Sequence, residues 1–390
     1  MTTMQAPAFR ITGLDALRCI SALIVMLFHC GFWAWAAPEM HPGYGGTNVS
    51  YEWLAPYTWH GWLGVESFFV ISGFVITYST QGSNVRDFLH KRFLRIFPAL
   101  WICTSISFIA VAWANPEHLS ITDLSLRLLN SALLAPYGPW IDGSVWTLSM
   151  EIFFYLIMSV AIGAGKIRHA AIITYIMALP SVFFWMLHLA AEFNSDAHTI
   201  FNTLLSVRYE TNRLYEIFLI KHGCFFALGV LLYQIRTQKP TCSRMIIAIL
   251  LFSVTCIEVF YQALSITQAS RSHFPPWEAC ALWLFIAFLI CWAIWQGQGK
   301  WPKLPLPEQG MKKAGAITYP LYLLNQTIGY IFLDFSKNYL PDTAALILCI
   351  LAITALSVFV SFFIEPTARS ITKTTLKNIN QTWKLIISSS

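Results

Sequence analysis

Long apolar blocks alternate with short polar segments along most of this chain. Each block is long enough to cross a hydrocarbon core of about 30 Å at about 1.5 Å per residue. The pattern therefore predicts an all-α, polytopic bundle of about ten transmembrane helices. The predicted spans are residues 12–36, 62–80, 96–114, 145–163, 170–191, 213–235, 245–264, 278–296, 316–335 and 343–365.

Composition and charge agree with a membrane protein. Hydrophobic residues make up 56% of the chain and charged residues 11%, whereas about a quarter of the residues are charged in an average soluble domain. Most Lys and Arg residues fall in alternate connecting segments, so the positive-inside rule predicts that both termini are cytoplasmic. The net charge of +6 follows from this topology. The expected partner is the lipid bilayer, and no nucleic acid is expected to bind.

One membrane domain accounts for most of the chain. Residues 1–370 are predicted to form it, and residues 371–390 a basic cytoplasmic tail. The first apolar block is too long for a signal peptide and lacks a small-residue cleavage site, so we expect it to be retained. The nine cysteines include no CxxC pair, so neither a disulfide framework nor a metal site is predicted.

The first span, which contains "RCISALIVMLFHC", carries two ionisable residues at membrane depth. Arg18 and His29 are eleven residues apart, about three helical turns, and therefore share one face. Asp15 lies on the same stripe, at the i,i+3 spacing that allows an ion pair with Arg18. Such residues usually face a protein interior or a wet cavity. The alternative is that Arg18 anchors at the headgroups and His29 bonds a neighbouring helix.

Further polar residues fall inside other predicted spans. Glu66 and Glu151 each lie a short way into a span that enters from the outer side, at a depth similar to that of His29. His222 and Asn325 fall nearer the middle of the membrane. We expect these groups to gather around His29 as a site, although a structural hydrogen bond explains any one glutamate equally well.

A basic segment, "HKRFLRIFP", precedes the third span on the cytoplasmic side. If it is helical, Arg92 and Arg95 share a face and suit bidentate phosphate binding. The alternative is that these residues only anchor the helix according to the positive-inside rule.

Four segments together resemble the acyltransferase-3 family of integral membrane acyltransferases. "GLDALRCISALIVMLFH" is similar to the first-helix signature of the family, which has Arg and His where this chain has Arg18 and His29. "GWLGVESFFVISGFVIT", "KRFLRIFPALW" and "VWTLSMEIFFY" resemble its next three motifs, in the right order. The segment "TYPLYLLNQ" departs from the family, because Asn325 stands where a His is usual.

The resemblance implies transfer of an acyl group, usually acetyl, from cytoplasmic acetyl-CoA to a hydroxyl of a bacterial glycan or lipid-linked sugar. It implies the bacterial inner membrane as the location, and acyl-CoA is expected as a substrate with no permanently bound cofactor. His29 would act as general base or as acyl carrier, oriented by Glu151 or Glu66. The expected CoA-binding residues are Arg18, Arg92 and Arg95, and the expected supporting residues are Asp15, Asn325, Tyr322 and His222.

Two other functions are compatible with the same residues. Buried Glu, His and Arg also build proton relays, so a proton-coupled transporter is the main alternative. That function predicts inverted repeats with broken helices, and no such symmetry is visible in the sequence. The second alternative is a non-catalytic membrane subunit of a glycan assembly complex, because Asn325 cannot titrate.

Overall fold

A computed structural model describes residues 11–38, 49–114, 119–165, 170–194, 213–238, 240–296 and 307–389. Within these residues every regular element is a helix, which confirms the predicted all-α bundle. Eight helices are long and apolar enough to cross a membrane, judged by length and composition. They are Thr12–Ala36, Ala55–Ser79, Val85–Ala114, Gly143–Gly163, Ile172–Phe193, Cys242–Ala269, Pro276–Trp295 and Asp342–Ile379.

The principal helices are numbered here in chain order. They are α1 Thr12–Phe28, α2 Leu63–Ser79, α3 Val85–Ala114, α4 Ile121–Ala132, α5 Trp146–Gly163, α6 Ala170–Phe193, α7 Gly223–Thr237, α8 Cys242–Ala269, α9 Pro276–Trp295, α10 Glu308–Leu324, α11 Thr327–Ser336, α12 Asp342–Phe359 and α13 Glu365–Ser389. A π-helical segment, Val360–Ile364, joins α12 to α13.

Four of the predicted spans are not continuous α-helices. In the tenth span, the π-helical segment Val360–Ile364 follows α12. A π-helical segment, His29–Trp33, follows α1 in the first span. In the sixth span a short helix, Arg213–Ile217, stops before Leu219, whose φ of 57° is left-handed, and α7 begins only after His222. The ninth span divides between α10 and α11. The continuous helices expected over 213–235 and 316–335 were therefore wrong.

These interruptions share a physical cause. The apolar content of a segment indicates its preference for lipid. A break in its backbone hydrogen bonds depends instead on groups elsewhere in the bundle that can satisfy the freed backbone atoms. Three of the four interruptions coincide with a polar residue that the sequence singles out: His29, His222 or Asn325. Departures from α-helical geometry within a helix frequently mark functional positions.

Helix α2 lies inside the bundle because small residues let its neighbours approach. A Cβ on Gly61 or Gly64 would overlap carbonyl oxygens of α1, and a Cβ on Gly73 would overlap the carbonyl oxygen of Phe226 in α7. Gly229 of α7 makes the reciprocal approach to α2. These glycines thus allow close packing of α2, and of the residues just before it, against α1 and α7. On the other side of the bundle, α13 packs along α3.

Candidate active site

Three arginines of the sequence prediction line one internal cavity of about 110 Å³. Arg18 comes from α1, and Arg92 and Arg95 come from α3. The wall is completed by residues of α2, α5 and α10, including Glu151, Tyr155 and Tyr322. Asp15 shares a smaller adjoining pocket with Arg18. The arginine seam of α1 and the basic pair of α3 therefore converge on one place.

Arg92 is held in a defined position. Its guanidinium donates to the hydroxyl of Ser79, the last residue of α2. It also lies over the rings of Phe88 and Tyr155, 5.4 and 5.6 Å from their centroids. Stacking on aromatic faces orients the planar guanidinium without neutralising it.

Glu151 is the carboxylate of this cavity. It accepts a hydrogen bond from the Tyr155 hydroxyl at 2.6 Å, one helical turn along α5. Within the described part of the chain, neither Arg18 nor Arg95 forms an ion pair. The cavity thus presents more cationic than anionic groups, which favours an anionic ligand.

His29 pairs with the residue that departs from the family pattern. Its Nδ1 atom lies 2.5 Å from Oδ1 of Asn325. The Asn325 amide nitrogen donates to the carbonyl oxygens of Leu321 and Tyr322, at 3.1 and 2.7 Å. Its Oδ1 atom must therefore be the acceptor, so His29 donates through Nδ1 and a neutral imidazole carries its lone pair on Nε2. The Cys30 thiol adds a contact, 3.6 Å from the Asn325 carbonyl oxygen.

Asn325 also links His29 to the arginine cavity. His29 is not among the residues that line the cavity, but Tyr322, whose carbonyl oxygen accepts from Asn325, is. The Tyr322 hydroxyl lies 2.9 Å from Oγ1 of Thr147, which also lines the cavity. Tyr322 therefore contacts Thr147 through its hydroxyl and Asn325 through its backbone carbonyl oxygen.

Glu66 and His222 meet each other in a second polar cluster. His222 Nδ1 lies 3.9 Å from Oε2 of Glu66 and 2.6 Å from Oε1 of Glu258. Glu258 was not predicted as a site residue, although a lone acid inside the predicted span 245–264 is the same signal that singled out Glu66. The structure thus divides the expected polar groups between this cluster, the arginine cavity and the His29–Asn325 pair.

A basic groove of about 730 Å³ lies between α3 and α13. Arg86, Lys373 and Lys377 line it together with Arg92, so one guanidinium faces both the groove and the internal cavity. Lys373 and Lys377 were predicted only as part of a basic tail. The two lysines are four residues apart, which places them on the same face of a helix. This spacing in the sequence indicates a shared basic surface.

A polar cavity of about 370 Å³ lies at the end of the bundle that the charge pattern places outside. Trp33, Trp185 and Tyr261 contribute aromatic surfaces to it. Trp33 belongs to the same π-helical segment as His29. The polar groups of this outer cavity are His188, Glu192, Glu216, Lys221, Gln262, Ser265 and Gln268.

This chain is similar in sequence to a known protein family and to several known proteins. The sequence model of the acyltransferase domain of the acyltransferase-3 family matches residues 11–365. An O-acetyl transferase of Shigella phage Sf6 is 29% identical over 174 residues, which are 41% of this chain and 48% of the relative. Nodulation protein 10 of Rhizobium leguminosarum is 30% identical over 220 residues, 50% of this chain and 54% of the relative.

The alignments cover only part of the relatives. The chain spans about half the length of these two proteins. The O-acetyltransferase OatA of Staphylococcus aureus is 28% identical over 186 residues, 41% of this chain and 26% of the relative. No solved structure matches the chain.

Proposed function

Because the chain belongs to the acyltransferase-3 family, we propose that it is a membrane O-acetyltransferase. Its donor is acetyl-CoA, bound from the cytoplasmic side, and its acceptor is a hydroxyl of a bacterial glycan or lipid-linked sugar. The observation that carries the proposal is the His29–Asn325 pair, in which Asn325 donates to the backbone of Tyr322, a wall residue of the cavity that three arginines line. A basic anion site beside an oriented imidazole suits a phosphate-bearing acyl donor.

The donor is recognised through its phosphates. The groove between α3 and α13 takes the nucleotide end of CoA, where Arg86, Lys373 and Lys377 face three phosphate groups. Arg92 lies where the groove and the internal cavity meet. Its planar guanidinium can donate two parallel hydrogen bonds to one phosphate group. The internal cavity, about 110 Å³, is well below the roughly 300–1,000 Å³ of drug-sized pockets. It is therefore too small for the nucleotide and suits the narrow pantetheine arm, with Arg92 facing the diphosphate at its entrance.

His29 is the general base of the transfer. Since Nδ1 donates to Asn325, Nε2 holds the lone pair that removes the proton of the acceptor hydroxyl. The hydroxyl oxygen forms a bond to the acetyl carbonyl carbon, and the bond from that carbon to the CoA sulfur breaks. The leaving thiolate takes the proton from the imidazolium, which returns His29 to its starting state. Asn325 is a positioning residue, because it selects the tautomer and touches no reacting atom.

The acceptor binds in the outer cavity. Its aromatic walls, Trp33, Trp185 and Tyr261, suit the apolar faces of sugar rings, and its carboxylates and amides suit their hydroxyls. Trp33 is four residues from His29 within one π-helical segment, which relates this cavity to the base. The chemistry of the cavity favours a carbohydrate over a lipid hydroxyl.

The test uses the full chain in nanodiscs, supplied with radiolabelled acetyl-CoA and glycan extracted from the host envelope. His29→Ala should abolish both CoA release and labelling of the glycan while expression and folding are retained. His60→Ala, which changes a half-buried histidine near the start of α2, is the matched control. Labelling at the wild-type rate by His29→Ala would overturn the proposal. Label that remains on denatured wild-type protein and is absent from His29→Ala would instead identify His29 as an acyl carrier.

A further inference from the structure

Glu66, His222 and Glu258 form a buried cluster that the proposed transfer does not use. They come from α2, from the turn before α7, and from α8. Their exposed fractions are 3%, 3% and 1%. One potential ligand atom from each residue lies within 4.8 Å of those from the other two. The cluster therefore brings two carboxylates and an imidazole to a single point inside the bundle.

These groups lack ordinary hydrogen-bond partners among the described residues. The unsatisfied atoms are Glu66 Oε2, both carboxylate oxygens of Glu258 and both ring nitrogens of His222. His222 Nδ1 is 2.6 Å from Glu258 Oε1, but the contact lacks the alignment of a hydrogen bond. Trp185 also approaches Glu258, but its indole N–H donates to the carbonyl oxygen of Lys221 at 2.9 Å. Buried polar groups are rarely left in this state unless an ion, a water or a proton satisfies them.

We propose that Glu66, His222 and Glu258 bind one divalent transition-metal ion, with Zn²⁺ as the best match. Imidazole nitrogen and carboxylate oxygen are both common zinc ligands, and one His with two carboxylates is within the range of its sites. Mg²⁺ and Ca²⁺ prefer oxygen ligands throughout, so the imidazole disfavours them. Two carboxylates also supply the negative charge that compensates a divalent cation in a buried site.

The surrounding helices hold the three ligands in place before any ion binds. The glycine contact between Gly73 and Gly229 keeps α2 against α7. The His222 ring packs near Phe69 and Trp146, with ring centroids 5.5 and 6.0 Å away. An ion at this point would tie α2 and α8 to the start of α7, next to the first residue of α5. Such an ion would cross-link helices that carry the catalytic groups.

The charged residues around the cluster offer a competing explanation, in which no metal ion binds. Lys221 and Arg213 are the cations near the cluster, and Glu216 is a further acid. Arg213 is already engaged, because it donates to Glu216 at 2.5 Å and to the Trp146 carbonyl oxygen. In the competing case, protons on the carboxyl groups and the charge of Lys221 balance the cluster without metal.

The experiment measures metal content independently of acyl transfer. The full chain, carrying a tag without histidines, is purified in detergent, dialysed against chelator and then against Zn²⁺. Metal is counted by mass spectrometry, and thermal unfolding is followed with and without Zn²⁺. We expect about one Zn²⁺ per chain and a higher melting temperature after loading. Glu258→Gln and His222→Gln should each lose most of the bound zinc and the thermal shift.

Two control variants change similar residues that lie outside the cluster. His188→Gln changes a buried imidazole that packs on Tyr261 outside the cluster, and Glu192→Gln changes an exposed acid of the outer cavity. Both should retain the bound zinc. If the cluster variants do not fold, the zinc content and thermal shift of the wild-type chain still decide the question. Wild-type protein that binds no zinc above the background of the dialysis buffer, or cluster variants that bind it fully, would overturn the proposal.

Discussion

The Nδ1 atom of His29 and the Oδ1 atom of Asn325 lie 2.5 Å apart, although 296 positions separate the two residues in the chain. His29 begins a π-helical segment after α1, and Asn325 is the C-cap residue directly after α10. Two backbone carbonyl oxygens of α10 hold the Asn325 amide group, so its oxygen faces the imidazole. A residue that cannot titrate thereby determines which ring nitrogen of His29 carries the lone pair.

Asn325 should therefore affect turnover more than donor binding. We expect Asn325→Ala to lower kcat by about 10–100-fold, because the imidazole loses the partner that orients it. The KM for acetyl-CoA should stay within about twofold, since the residue touches no part of the donor. Asn325→Asp should keep more activity than Asn325→Ala, because a carboxylate oxygen still accepts the Nδ1 proton. Equal losses in both variants, measured by steady-state CoA release, would contradict a positioning role.

The arginine cavity should govern donor affinity. Arg92→Lys keeps a charge but loses the planar fork and its stacking on Phe88 and Tyr155. We expect the KM for acetyl-CoA to rise about tenfold, equivalent to about 1.4 kcal/mol, with a smaller change in kcat. The control is Arg244→Ala, which removes an arginine that donates to Gln238 outside the cavity. An unchanged KM for acetyl-CoA in Arg92→Lys would show that Arg92 does not contribute to donor binding.

The C-terminal helix should contribute to CoA binding through its lysines. Lys373 and Lys377 line the groove that Arg92 shares, and both are exposed. Exposed charge pairs contribute about 0.2–1 kcal/mol each, so the double alanine variant should weaken CoA binding about twofold to thirtyfold. Binding should also become less sensitive to salt. Calorimetry with CoA measures both effects.

A second pair of lysines serves as the matched control for that experiment. Lys312 and Lys313 are exposed near the start of α10 and do not line the groove. Their double alanine variant removes the same charge and should bind CoA like the wild type. Equal weakening in the two double variants would indicate a general effect of charge and would exclude a site between α3 and α13.

The contact between α2 and α7 should tolerate no added side chain. A Cβ on Gly229 would overlap the carbonyl oxygen of Val70, so both helices would have to separate. We expect Gly229→Ala to destabilise the bundle by about 1–3 kcal/mol, as overpacking does elsewhere. Gly310→Ala is the control, because the nearest atom to its added Cβ would be 3.4 Å away. Thermal unfolding in detergent should show a lower melting temperature only for Gly229→Ala.

The sequence by itself determined the class of the molecule and most of its chemistry. Apolar blocks of transmembrane length predict the helical bundle, because a bilayer admits few other backbone arrangements. The separation of Arg18 from His29, and of Arg92 from Arg95, also follows from helical periodicity within one segment. These are local properties, which a single stretch of chain carries without reference to its neighbours.

Only the tertiary structure decided how the polar residues are grouped. Glu66, expected beside His29, meets His222 and Glu258, and Glu151 lies with the arginines. The partner of His29 is the distant Asn325, which lies at a break between α10 and α11. The hydrophobic periodicity of this segment does not predict the break. The reason is that the rotation and approach of helices depend on contacts such as that of Gly73 with Phe226. Such contacts join residues far apart in the chain and leave no signal in either segment alone.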